Sequence, residues 1–229
     1  EARLTPDAIS FNAVISACDR GGQWETALVL FADLKGSQRP DLFSYNTAIS
    51  ACARSEAWQR ALQLVDELEL ARLVPDAITL NTAVSACAGS GQWKLAVALL
   101  QAMRREGVKA DVASFTAAVC ACGNGKQWDR ALELLGAAKQ GGIVPDTVSC
   151  STAISACEQG ARWEPALRLL FRMERSGLVP DAVASSAVVS ACNGSQLWGL
   201  SLWVLARLSH TRVDPGPAAY LAALDACEA

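Results

Sequence analysis

The sequence predicts an all-α fold, a solenoid of stacked helix-turn-helix repeats of about 35 residues each. Three columns of residues predict it. Trp recurs at Trp24, Trp58, Trp93, Trp128, Trp163 and Trp198, with gaps of 34, 35, 35, 35 and 35 residues. Cys keeps the same beat at Cys18, Cys52, Cys87, Cys122, Cys157, Cys192 and Cys227. So does Asp, at Asp7, Asp41, Asp76, Asp111, Asp146 and Asp181; each follows Pro except Asp111, which follows Ala110.

With each unit begun after its Asp, the repeats are 8–41, 42–76, 77–111, 112–146, 147–181 and 182–216. Residues 1–7 read as the tail of a preceding repeat, because Arg3-Leu4-Thr5-Pro6-Asp7 resembles Arg72-Leu73-Val74-Pro75-Asp76. Residues 217–229 read as the first helix of a truncated one. Solenoid ends need polar caps, and neither end carries one, so the sequence is expected to be a segment of a longer array.

Each repeat reads as two helices. In the first, Phe11, Val14, Ile15 and Cys18 form an i, i+3, i+4, i+7 stripe. Gly21-Gly22 then ends the helix. Trp24, Ala27, Leu28, Phe31 and Leu34 give the second helix the same spacing. A short turn closes on Pro-Asp, where Asp can accept from the free N–H groups of the next helix. The first unit's missing residue is expected in this turn, near Gly36-Ser37-Gln38.

At 52% apolar and 19% charged residues, the chain can bury a large core. No apolar run approaches the roughly 18 residues of a membrane span, so no membrane partner is expected. A net charge of −3 does not advertise nucleic-acid binding. Trp, Ala and Cys read as packing residues. Neighbouring helices pack roughly 8–10 Å apart, too far for a disulfide between equivalent cysteines. Cys120-Ala121-Cys122 is the one close pair, and no His or further Cys stands near it to complete a zinc site. No cofactor and no metal are expected, and free thiols fit a reducing compartment.

A different pattern holds at the fifth residue of each repeat: Asn12, Asn46, Asn81, Thr116, Ser151 and Ser186. Such residues are poor choices inside a helix on propensity alone. The column keeps its polar character while changing identity, unlike the Cys column. The second residues are Ile9, Phe43, Ile78, Ala113, Val148 and Val183, which lie at i and i+3 to the fifth. That face points away from the core stripe. Each repeat therefore sets an apolar contact beside a small donor or acceptor, next to its terminal Asp. A regular chain of flat, polar-edged groups would suit such a surface, and single-stranded nucleic acid read one base per repeat is one. Two structural readings stand beside this one: Asn as a bridge to the neighbouring repeat, and Asp as an N-cap only.

The sequence resembles the pentatricopeptide repeat proteins over essentially its whole length. The carriers are the 35-residue period, units such as Leu42-Phe43-Ser44-Tyr45-Asn46-Thr47-Ala48-Ile49-Ser50-Ala51-Cys52, and closing turns such as Gly177-Leu178-Val179-Pro180-Asp181. Tetratricopeptide repeats place their Trp in the first helix; here it opens the second. The resemblance implies a right-handed superhelix that binds single-stranded RNA sequence-specifically. The fifth and last residues of a repeat would select the base and the second would help sandwich it. Carried over, Asn12 with Asp41, Asn46 with Asp76 and Asn81 with Asp111 look like uridine readers. Thr116 with Asp146 looks like a guanosine reader, and Ser151 with Asp181 favours a purine, guanosine first. Ser186 pairs with Gly216 and leaves its base open. Ile9, Phe43, Ile78, Val148 and Val183 would sandwich the bases; Ala113 offers little surface for that. The expected core target is 5′-UUUGG-3′. A basic residue two places after Cys occurs as Arg20 and Arg54 and is absent from the later units.

The resemblance further implies a role in RNA processing, stability, splicing or translation in mitochondria or chloroplasts, with other RNA-processing proteins as further partners. The alternative function is a helical-repeat scaffold for protein–protein interaction. No enzyme activity and no catalytic residue are expected. The single His210 stands in a Ser-His-Thr turn without a metal-ligating partner, and the zinc-deaminase signature is absent.

Overall fold

The computed structural model describes residues 7–210, 216, 217, 219–221 and 224. The expected tail of a preceding repeat, Asp7 apart, lies outside the described residues, as do Cys227 and much of the helix expected over 217–229. Every regular element among the described residues is helical. Odd-numbered helices are α1 (Ala8–Arg20), α3 (Leu42–Arg54), α5 (Ala77–Gly89), α7 (Val112–Asn124), α9 (Thr147–Gln159) and α11 (Ala182–Gly194). Even-numbered ones are α2 (Trp24–Ser37), α4 (Trp58–Leu70), α6 (Trp93–Arg105), α8 (Trp128–Gln140), α10 (Trp163–Arg175) and α12 (Trp198–His210). Helix α12 runs through His210, where the sequence suggested a turn; that side chain lies outside the described residues.

Each odd helix starts on an Asp. The side chains of Asp7, Asp41, Asp76, Asp111, Asp146 and Asp181 all accept from the backbone N–H three residues on. One of the four orphan donors of the helix start is thereby satisfied. The odd helices end through a left-handed residue. In the first unit Gly22 takes φ 68°, its N–H donates to Asp19 O at 3.1 Å, and Gln23 N–H donates to Cys18 O at 3.0 Å. That pair of bonds satisfies carbonyls the helix cannot. Glu56, Lys126, Ala161 and Gln196 hold the same place at φ 52–59° without being glycine.

The short first repeat loses a comparable device. Helices α4, α8 and α10 are followed by left-handed Arg72, Gly142 and Gly177. Helix α2 instead runs one residue longer than α4, 14 residues against 13, and stops on extended Gln38, whose N–H donates to Leu34 O. Gly36-Ser37 thus belongs to the helix, and the shortening falls just after it.

Contacts divide the chain into two compact units: residues up to Ser90 with Lys94–Ala110, and Gly91–Trp93 with the residues from Asp111 onward. In the first, α1 packs on α2 and α3, and α3 packs on α4 and α5. In the second, α7, α9 and α11 pack side by side, and each also packs on the even helix that follows it. Helices α3 and α9, each between two odd helices and against two even ones, are the most enclosed. The Cys column of the odd helices is buried: Cys52, Cys87, Cys122, Cys157 and Cys192 expose no surface. Ala27, Ala61, Ala96, Ala131 and Ala166 on the even helices are equally buried and let the helices close up.

Two expectations need correction. The Trp residues are half-buried, and Trp198 is exposed. Trp128 lies over the next turn, where a Cβ on Gly160 would meet its ring at 2.5 Å, and the Arg162 guanidinium stands 4.9 Å from the ring centroid. It therefore packs turn against turn and contributes less core than its size suggests. Val14 is 49% exposed, whereas its counterparts Ala48, Ala83, Ala118, Ala153 and Val188 are fully buried. Helices α3, α9 and α11 each pack on the odd helix before them; α1 has no such neighbour among the described residues.

Candidate nucleic-acid interface

The odd helices leave one face uncovered, and the second residues stand on it. Ile9, Phe43, Ile78, Val148 and Val183 are 55–77% exposed. Large apolar side chains in a repeating exposed row are the informative exception to burial. Ala113 is also exposed but presents only a methyl group.

The fifth residues lie beside them and are more buried. In the second repeat Asn46 Nδ2 donates to Asp76 Oδ1 at 3.2 Å, and the Thr79 hydroxyl donates to Asn46 Oδ1 at 2.6 Å. Asp76 Oδ1 also accepts the Thr79 backbone N–H at 2.8 Å. The carboxylate turns the amide nitrogen toward itself, which fixes the carbonyl toward Thr79. In the first repeat a side-chain bond from Asn12 reaches Asp41, while Asn12 Oδ1 is buried with no hydrogen-bond partner.

The fourth and fifth repeats use two arrangements. Ser151 donates to Asp181 Oδ1 directly at 2.9 Å. Thr116 reaches no carboxylate itself: its Oγ1 lies 2.7 Å from Ser149 Oγ, which in turn donates to Asp146 Oδ1 at 2.6 Å. Ser186 donates to Val183 O in its own helix, and Gly216 supplies no side chain. Asn81 and Asp111 fall in different compact units.

Asp41, Asp76 and Asp181 therefore cap a helix and bond a fifth residue at once, so the two readings of this column are compatible. Hydrogen bonding sets its charge. The Ser44 hydroxyl foremost holds the Asp41 carboxyl below its ordinary 3.8. For Asp76, Asp111 and Asp146, burial pushes upward, but the donors of the following helix turn outweigh it and the net shift is down. These groups are carboxylates at neutral pH and can only accept.

Sequence reading missed the third residues, Ser10, Ser44, Thr79, Ser114 and Ser149. The hydroxyls of Ser10, Ser44, Ser114 and Ser149 donate to the Asp three places before them, and Thr79 Oγ1 lies 2.8 Å from Asp76 Oδ1. An Asp-x-x-Ser/Thr spacing was the available signal; Ala184 is the exception. The basic pair is also less free than its spacing implied. Arg54 Nε lies 3.3 Å from the Asp19 carboxylate, and Arg20 Nε donates to Ser16 O.

Around the fifth repeat the surface is concave. Val148, Ser151, Thr152, Ser155, Asp181 and Val183 line a groove of about 280 Å³. A larger groove, about 470 Å³, lies between α2 and α4 and contains none of the fifth or last residues. Lys35 and Glu67 bridge it at 2.6 Å. Among the described residues no group of three or more His, Cys, Asp or Glu could hold a metal ion, and no helix is long and apolar enough to cross a membrane.

Models of the PPR repeat match residues 9–38, 43–73, 78–108 and 148–178. A pentatricopeptide repeat domain model matches 98–160. The chain belongs to the pentatricopeptide repeat family. The four single-repeat matches begin on Ile9, Phe43, Ile78 and Val148, the second residues of their units. A comparison with curated protein sequences finds no match. Among solved structures, the pentatricopeptide repeat protein PPR10 from maize aligns with TM-score 0.77 and 28% identity, over 96% of this chain and 32% of that one. This chain thus spans about a third of the maize protein. PPR10 in complex with an 18-nt psaJ RNA element aligns with TM-score 0.62 and 23% identity, over 97% of this chain and 36% of that one. The PPR domain of Arabidopsis thaliana protein-only RNase P 1, in complex with tRNA, aligns with TM-score 0.66 and 16% identity, over 79% of this chain and 95% of that one. Those last two likenesses concern the pentatricopeptide repeat fold.

Proposed function

We propose that this chain binds single-stranded RNA, one base per repeat, along the exposed face of its odd helices. One observation carries the reading: an exposed apolar residue recurs beside a buried or half-buried amide or hydroxyl that is bonded to, or one hydroxyl away from, a carboxylate. The apolar residues would stack the bases, and the polar pairs would meet their edges. The maize relative's complex with an RNA element points the same way.

In the finer reading, Asn12/Asp41, Asn46/Asp76 and Asn81/Asp111 select uridine, and Thr116/Asp146 and Ser151/Asp181 select guanosine, giving 5′-UUUGG-3′. By family resemblance we place this binding in RNA processing, stability, splicing or translation in mitochondria or chloroplasts. Fluorescence anisotropy with labelled oligonucleotides tests the binding claim. UUUGG should bind at least tenfold more tightly than a scrambled sequence, and affinity should fall steeply between about 50 and 200 mM salt. Equal binding of the two RNAs would sink the proposal. A protein partner bound with little salt dependence, and no RNA bound, would favour a scaffold instead.

A further inference from the structure

We propose that the third residues Ser149 and Thr79 are positioning residues for base selection by the repeat before them, Ser149 acting on Thr116 and Thr79 acting on Asn46. The inference rests on the base-reading proposal above and adds a determinant to it. Ser44, Thr79, Ser114 and Ser149 are at most 2% exposed. None can touch a ligand, so any influence on recognition passes through the side chains they bond.

Ser149 shows how. The Asp146 carboxylate has no proton to give, so the Ser149 hydroxyl donates to it at 2.6 Å. Ser149 Oγ is then left as an acceptor, 2.7 Å from Thr116 Oγ1. The Thr116 proton then has two acceptors inside the fold, Ser149 Oγ at 2.7 Å and Val112 O at 2.8 Å. The chain Thr116 to Ser149 to Asp146 leaves Thr116 with only lone pairs for an incoming base. An acceptor there suits the N–H donors on the Watson–Crick edge of guanosine and opposes the N1 acceptor of adenosine. Without the Ser149 hydroxyl, Val112 O alone would compete with the base for the Thr116 proton, and the polarity would be less firmly held.

Thr79 fixes polarity by another route. Its hydroxyl pins Asn46 Oδ1 at 2.6 Å while Asp76 holds Nδ2. In the fifth repeat the third residue of the next unit is Ala184, and there Ser151 bonds Asp181 without a relay. The fifth and last residues alone would therefore describe Ser151/Asp181 fully and Thr116/Asp146 incompletely.

The test uses the full chain and four RNAs based on UUUGG: the parent, guanosine to adenosine at the fourth base, uridine to cytidine at the second, and both changes together. Ser149→Ala should reduce the guanosine-to-adenosine preference at the fourth base by about tenfold and leave the second-base preference unchanged. Ser149→Thr, which keeps the hydroxyl, should restore it. Thr79→Val, matched in size, should do the reverse, eroding the second-base preference and sparing the fourth. Melting curves accompany each variant. If both RNAs of a pair lose affinity equally and the preference ratio stays, the hydroxyls are purely structural and the inference falls while base reading stands. If the wild-type chain shows no preference at either base, base reading itself falls and takes the inference with it.

Discussion

At the scale of single residues, similar chemistry serves opposite ends. The buried thiols are inert: desolvation pushes Cys52, Cys87, Cys122 and Cys192 up to about 11, and Cys157 up to about 12. Thiolate is the reactive form, so at neutral pH these side chains should resist alkylation. Cys18 and Cys120, which are partly exposed, should label first. Mass mapping after brief N-ethylmaleimide treatment checks this; early modification of Cys122 or Cys157 would contradict the burial described. The hydroxyls show the contrary use. Thr82 and Thr152 return their protons to carbonyls four residues back and stay within their helices. Thr79 and Ser149 reach across to the preceding repeat.

At the scale of the helix, the ends hold the least settled chemistry. A left-handed residue other than glycine costs roughly 1–2 kcal/mol. Ala161 carries that strain at φ 52°. Ala161→Gly should therefore raise stability by about 0.5–1 kcal/mol, after allowing for the greater freedom of glycine in the unfolded chain. Gly142 stands at φ 80° with nothing within 4 Å of an added Cβ, so Gly142→Ala carries no clash and, with the same allowance, should lower stability by about 0.5–1 kcal/mol. Urea unfolding of both variants checks the pair; shifts of the opposite sign would refute the account. Much at this scale was legible in the sequence. Trp24 through Trp198 marked the start of every even helix, and Asp marked the cap of every odd one. What spacing could not reveal was how far each Trp is covered, because that depends on the turn of the next repeat, as Gly160 does for Trp128. The relay through Ser149 was hidden for a similar reason. A Ser three places after an Asp reads first as local capping, and its second partner lies 33 residues away.

At the scale of the whole molecule, the repeated carboxylates make stability a function of pH. Asp7, Asp41, Asp76, Asp111 and Asp146 are all held below their ordinary 3.8. A group depressed by folding adds stability that is full above its unfolded value and is lost as pH falls through the folded one. The melting temperature should hold from about pH 7 to 5 and then drop progressively below about pH 4. A curve that stays flat to about pH 3 would show that the bonds to the third residues contribute little.

One further consequence follows from the double duty of the last residue. A residue that must begin a helix is drawn from a short alphabet: Asp, Asn, Ser, Thr or Gly. Asp fills the place in five repeats and Gly216 in the sixth. Whatever the last residue says to a ligand is therefore spelled in letters that a helix start permits. Any redesign of recognition at this position that steps outside them must give back roughly 0.5–2 kcal/mol of helix stability for each repeat rewritten.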